Sequence, residues 1–172
     1  IGSEDLIFQG NVQSWIRFAN SLKLRILMRQ SDVVDVSAQV RDLIANGSFI
    51  ETANDIAKIT FSGAVGGENP MYARMEAGVK NFYVASSTSV DYLTETGDPR
   101  LSILYAPAAN SGNIVSIPQG SIDLEPFTAS VGDYSQMSSV LYANNNPVIF
   151  MSHWETWFLR AEAALKFNTA DN

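Results

Sequence analysis

The chain has no cysteine and only one histidine, His153. The first absence removes disulfide frameworks, thiolate nucleophiles and cysteine zinc sites together. The second leaves a single imidazole that the sequence does not match to a serine and a carboxylate, so His153 reads as a surface or helix-capping residue. Basic residues are also scarce. Eleven Lys and Arg stand against 18 Asp and Glu, giving a net charge of -7 and a pI near 4.5. Such a chain repels phosphate backbones, which argues against nucleic acid as a partner. No apolar run approaches the ~20 residues that span a bilayer. Glycines 63, 66 and 67 cluster, but no lysine and hydroxyl follow as in a phosphate-binding loop, and the dinucleotide spacing is missing; a flexible loop is the reading. Nothing in these patterns calls for a cofactor or a metal, and no catalytic set is identified.

What is present suits one domain with its own core: 172 residues, 46% of them hydrophobic. A helix is expected near 12–29, with Asn11 accepting hydrogen bonds from its first turn. Val12, Trp15, Ala19, Leu22 and Ile26 share one broad face, and Leu24, Leu27 and Met28 lie away from it. A helix with two apolar stripes needs neighbours on both sides, as in stacked helical pairs. A second helix is expected at 37–46, ended by Gly47 in the left-handed conformation. A third is expected near 152–167. Its start is marked by Ser152, with Glu155 placed to reach back as in a capping box. Trp154, Trp157, Phe158, Ala161 and Leu165 share one face of it, predicting a packed seam, and Glu162 is placed to pair with Lys166.

Between the second and third helices, over 48–150, Gly, Ser, Asn and Pro recur and long loops dominate. A short helix closed by Gly97 is expected over Ser87 to Thr96. Short strands are expected at Lys58 to Phe61, Leu101 to Tyr105 and Ile114 to Ile117.

Four stretches in order carry a family resemblance: Phe18-Ala19-Asn20-Ser21-Leu22-Lys23-Leu24-Arg25, Asp98-Pro99-Arg100-Leu101, Asn146-Pro147-Val148-Ile149 and Trp157-Phe158-Leu159-Arg160-Ala161-Glu162-Ala163-Ala164. Together they resemble the SusD/RagB family of surface nutrient-binding lipoproteins, from Phe18 to about Leu165. One departure is Ser152-His153-Trp154-Glu155, where the family often places Tyr-Ala-Glu and only the glutamate is kept. The resemblance implies a mainly α fold, a helical-repeat (tetratricopeptide-like) scaffold with a long loop-rich insertion carrying short strands. No second copy is found about 34 residues away, so the repeat architecture rests on the resemblance and on the two-sided first helix. It also implies that a lipid-bearing cysteine and several early helices belong to a longer protein, of which this chain is expected to be a fragment.

By that resemblance the expected role is non-catalytic nutrient binding at the outer face of the outer membrane. The ligand would be an oligosaccharide or another nutrient, handed to a SusC-like TonB-dependent transporter, with membrane attachment only through a lipid anchor outside this chain. The alternative is a glycan-acting hydrolase with an unlocated carboxylate pair, which 18 scattered acids neither establish nor exclude. Family ligand contacts vary between members, so no site residue carries over. The residues themselves offer Tyr72, Tyr83, Tyr134 and Tyr142, which sit near Asn69, Asn81, Asp133 and Asn144 in the loop-rich half. Tyrosine rings suit sugar C–H faces, and amides suit hydroxyls. For each tyrosine a buried core position is the competing reading.

Overall fold

A computed structural model describes residue 2 and residues 4–120 and 130–169. Its mainly helical chain forms two compact units, residues 1–60 with 147–172 and residues 61–146. Part of the expected loop-rich stretch, residues 121–129, lies outside the described residues.

In the first unit α1 (Val12–Gln30) packs against α2 (Ser37–Asn46) and α6 (His153–Phe167). Asn11 caps α1 as expected, its side-chain oxygen accepting from Ser14 N at 3.1 Å. The face that builds the core is Leu24, Leu27 and Met28, enclosed with Val36, Val40, Leu43, Phe49 and Ala163. On the other stripe, Trp15 and Phe18 are covered by Phe8 from the preceding loop, with ring centroids 5.2 and 6.3 Å from it, whereas Val12 and Ile26 are exposed. That loop is organised by Asp5. Its carboxylate accepts from the backbone of Ile7, Phe8 and Gly10 and from the Trp15 indole at 2.7 Å. Burial works against ionisation there, but these four donors outweigh it and hold the carboxyl down at about 2.

Two strands, β1 (Ala57–Ile59) and β2 (Val148–Met151), pair antiparallel with Lys58 opposite Ile149. β1 is shorter than the expected Lys58 to Phe61 strand and starts one residue earlier. Met151 seals a small second core with Ile50 and Ala57.

Further expectations for this unit are corrected. Gly47 is extended (φ -82°, ψ 152°) and not left-handed; a Cβ there would stand 2.5 Å from the Leu43 carbonyl oxygen, so close approach, not dihedral freedom, requires the glycine. Lys166 turns from Glu162 to Asp32 and to the Ser31 hydroxyl. The aromatic seam of α6 is not packed: Trp154, Trp157 and Phe158 are 50%, 42% and 76% exposed, and Leu165 is 91% exposed. α6 instead buries Thr156, Arg160 and Ala163. Ala163 permits the near approach to α1 and α2. Arg160 is buried because Glu51 neutralises it and because it lies over the Phe49 and Trp157 rings, 5.4 and 4.5 Å from their centroids. Weighing faces by large apolar side chains misses an arginine that is paired and stacked.

The second unit holds α3 (Pro70–Glu76), α4 (Ser87–Glu95) and α5 (Leu101–Leu104). Asn69 caps α3 at Met71 N, 2.7 Å, and Gly97 closes α4 at φ 62°. The expected strand at Leu101 to Tyr105 is the helix α5 as far as Leu104. Asp98 turns the chain by accepting from Arg100 N at 2.9 Å, which favours a helical start over an extended run. Ile114 to Ile117 forms no strand either; it contributes one isolated parallel bridge, Ser86 to Ile117. Its other support is the buried Ser135, whose hydroxyl accepts from Val115 N at 3.0 Å.

Candidate functional site

Short segments of the second unit converge on two cavities, each of about 240 Å³. An isolated antiparallel bridge between Tyr105 and Met137 runs beside both. It is extended by Ala106 N donating to Gln136 O at 2.9 Å and Ser138 N donating to Leu104 O at 3.0 Å.

The first cavity is lined by Tyr83, Val84, Ser86, Leu104, Tyr105, Gln119, Met137 and Leu141. Its walls are fixed by backbone pairing. Ala85 N donates to Ser135 O at 2.7 Å, Ile117 N to Ala85 O at 2.9 Å, and Ser87 N to Ile117 O at 2.8 Å. Tyr83 follows the single turn Val79–Phe82 and is half exposed. Tyr105 follows α5 directly. Ser86 occupies the N-cap position of α4, yet its hydroxyl makes no cap hydrogen bond. A serine at that position normally closes the helix end, so its hydroxyl is left for something else. The site thus presents two phenol rings, three aliphatic side chains and a thioether, together with hydroxyls and the Gln119 amide, which donate and accept alike.

The second cavity takes Asn81 and Tyr134, with Ala106, Pro107, Val131 and Gln136. Gln136 is held by donating to the Lys80 carbonyl at 3.2 Å.

The structure therefore brings Tyr83 to one cavity and Tyr134 to the other, and it separates the remaining two tyrosines from both. Tyr72 lies half-buried on α3, and Tyr142 is buried in the interior of the unit. Of the amide and acid neighbours, only Asn81 lines either of these two cavities. Asn69 caps α3 and donates to Asn146 O at 2.8 Å, Asn144 donates to Gly63 O at 3.0 Å, and Asp133 accepts from Asn110 at 2.7 Å. Tyr105, Ser86 and Gln119 were not singled out by sequence. Tyr105 has no amide or acid beside it, and the cue it does offer, an aromatic two residues before Pro107, is weak.

The nearby charges are engaged with one another. Lys80 pairs with Glu76 at 3.2 Å and Arg100 with Asp98 at 2.5 Å. The Arg100 guanidinium, followed by its own backbone N–H, holds the Asp98 carboxyl down at about 2. Among the described residues no group of three or more His, Asp or Glu is placed to hold a metal ion.

A family model described as SusD-like, starch-binding and associating with the outer membrane matches residues 1–172. The chain belongs to the SusD-like family. Solved structures share its fold. A SusD homologue from Bacteroides vulgatus is 27% identical, with a TM-score of 0.76, over 99% of this chain and 34% of that one. A second, from Bacteroides fragilis, is 21% identical with a TM-score of 0.79, over 98% of this chain and 39% of that one. A protein named as chitin-binding is 24% identical with a TM-score of 0.75, over the same two shares, 98% and 39%. The chain thus spans well under half the length of these solved structures. No curated protein matches it significantly.

The first of the four stretches that carried the resemblance is scaffold in this SusD-like chain. Asn20 donates to Ser48 O at 3.0 Å, Ser21 accepts from Ile50 N at 3.0 Å, Leu24 lies in the core, and Arg25 reaches Glu155 and the Phe150 carbonyl.

Proposed function

We propose that this protein binds a glycan at the outer face of the outer membrane, without cleaving it, and delivers it to a SusC-like TonB-dependent transporter. The observation that carries the reading is a chain matched along its whole length by a starch-binding family and holding an aromatic-walled cavity with unengaged hydroxyls. Tyr83 and Tyr105 stack against sugar C–H faces, while Ser86 and Gln119 meet the hydroxyls. Tyr134 and Asn81 in the companion cavity are the second place for a sugar.

The lining supports binding rather than hydrolysis. Glycoside cleavage needs two carboxyl groups roughly 5–9.5 Å apart around the scissile bond. None of the described residues on the first cavity carries one. The chitin-binding neighbour supports a carbohydrate as the ligand class. Delivery and membrane attachment are properties of the family carried to this chain.

The test is incubation of the protein with a panel of plant, fungal and bacterial oligosaccharides, followed by both calorimetry and product analysis. Heat of binding with the oligosaccharide recovered intact is the expected result. Steady product release, abolished by one acid-to-amide change, contradicts it.

A further inference from the structure

We infer that the Tyr83–Tyr105 cavity selects uncharged saccharides and rejects uronate or sulfated chains, an inference that rests on the glycan-binding reading above. Every described side chain on its wall is neutral at physiological pH. The surrounding unit is far from neutral: residues 61–146 carry eight Asp and Glu against three cations, Arg74, Lys80 and Arg100. None of the three lies on the cavity wall, and Lys80 and Arg100 are already paired with Glu76 and Asp98. An approaching carboxylate is repelled by the net negative field, and once seated it loses water without gaining a counter-charge.

A neutral sugar meets the opposite conditions. The Tyr83, Ser86 and Tyr105 hydroxyls and the Gln119 amide both donate and accept, matching the dual character of sugar hydroxyls. A carboxylate only accepts and leaves half of that capacity unanswered. At about 240 Å³ the cavity is smaller than the roughly 300–1,000 Å³ that encloses a drug-sized ligand. It seats a segment of a chain and leaves the remainder in solvent.

The experiment compares matched glycans that differ only in charge, such as methyl-esterified and free-acid oligogalacturonates, alongside neutral glucans, xylans and chitin oligomers. Calorimetry is run at low and high salt on wild type and on Gln119→Lys and Leu141→Lys, which place a cation at the rim. Binders confined to the neutral set, with little salt dependence, are expected. Each lysine variant is expected to shift the ratio of anionic to neutral affinity by about tenfold toward the anion. Wild-type protein that binds a free acid as tightly as its ester overturns the inference while leaving glycan binding intact. A neutral ligand whose selectivity ignores both lysines also overturns it, because the sugar then sits elsewhere. Failure of every saccharide to bind removes the glycan-binding reading itself.

Discussion

Arg25 of α1 and Glu155 of α6 form a two-pronged ion pair, Nε to Oε1 and Nη2 to Oε2 both at 2.6 Å, across 130 residues of sequence. Ser152 does cap α6 by accepting from Glu155 N at 3.2 Å, but the Glu155 carboxylate goes to Arg25 and does not close a capping box. The same guanidinium donates to the Phe150 carbonyl at 3.1 Å, so one side chain ties α1 to β2 and α6.

Replacing Arg25 by Lys removes the fork while keeping the charge, and is expected to cost about 1 kcal/mol, reduced from a buried pair because Glu155 is 37% exposed. Arg25→Ala also strands the Phe150 carbonyl and is expected to cost about 2 kcal/mol. Denaturant unfolding of the two variants, with Glu155→Gln to complete the cycle, measures both. Equal stabilities for wild type and Arg25→Ala contradict the role.

The two helix faces that the sequence makes look alike respond differently. Leu24 is fully enclosed, and Leu24→Ala is expected to cost about 2–5 kcal/mol through the cavity it leaves. Phe158 and Leu165 on α6 face outward, so Phe158→Ser and Leu165→Ser are expected to change stability by about 0.5 kcal/mol or less. Thermal melts of these three variants of the chain decide it; a large loss at Phe158 restores the packed seam.

Legibility tracked how local the cause was. α1, α2 and α6 have starts and periodicities written in adjacent residues, and their bounds follow from Asn11, the 3.6-residue pattern and Ser152. The buried face of α6 was not legible, because it depends on Glu51 neutralising Arg160 from 109 residues away. The motifs of the SusD-like family were legible for the same reason as the helices: Ser21, Leu24 and Arg25 are needed by the scaffold whatever is bound. The cavity is assembled from Tyr83, Tyr105, Gln119 and Met137, held together by irregular backbone pairs such as Ala85 to Ser135 that no periodicity announces. Only Tyr83, Tyr134 and Asn81 could be picked from sequence, from the pattern of aromatic residues with an amide or acid close by.

The glycines separate two reasons for the same residue. Gly97 has φ 62° with open space around it, so Gly97→Ala is expected to cost about 1 kcal/mol from backbone strain alone. Gly47 has an ordinary extended backbone, but a Cβ would collide with the Leu43 carbonyl oxygen. Gly47→Ala is therefore expected to cost more, about 1–3 kcal/mol, as α2 shifts to make room. Chemical denaturation of both variants gives the order. Gly47→Ala milder than Gly97→Ala contradicts the close-approach account.

Asp5 makes the loop before α1 sensitive to acid. Its folded value of about 2 lies below the ordinary 3.8, so the stability it contributes is fully present above about pH 4 and is lost as pH falls through 2. The indole N–H signal of Trp15, which donates to Asp5, is expected to shift over that window in NMR spectra. Asp5→Asn should flatten the response. An indole signal that titrates alike in both proteins contradicts the assignment.

The central claim is that Tyr83 and Tyr105 hold the ligand while the helices only carry them. Calorimetric titration of the tightest-binding neutral oligosaccharide into wild type, Tyr83→Ala and Tyr105→Ala, with melting curves for each, addresses it directly. The account predicts roughly tenfold weaker binding for each variant, from the lost stacking and hydroxyl, with melting little changed for the half-exposed Tyr83. Affinity unchanged in both variants contradicts it.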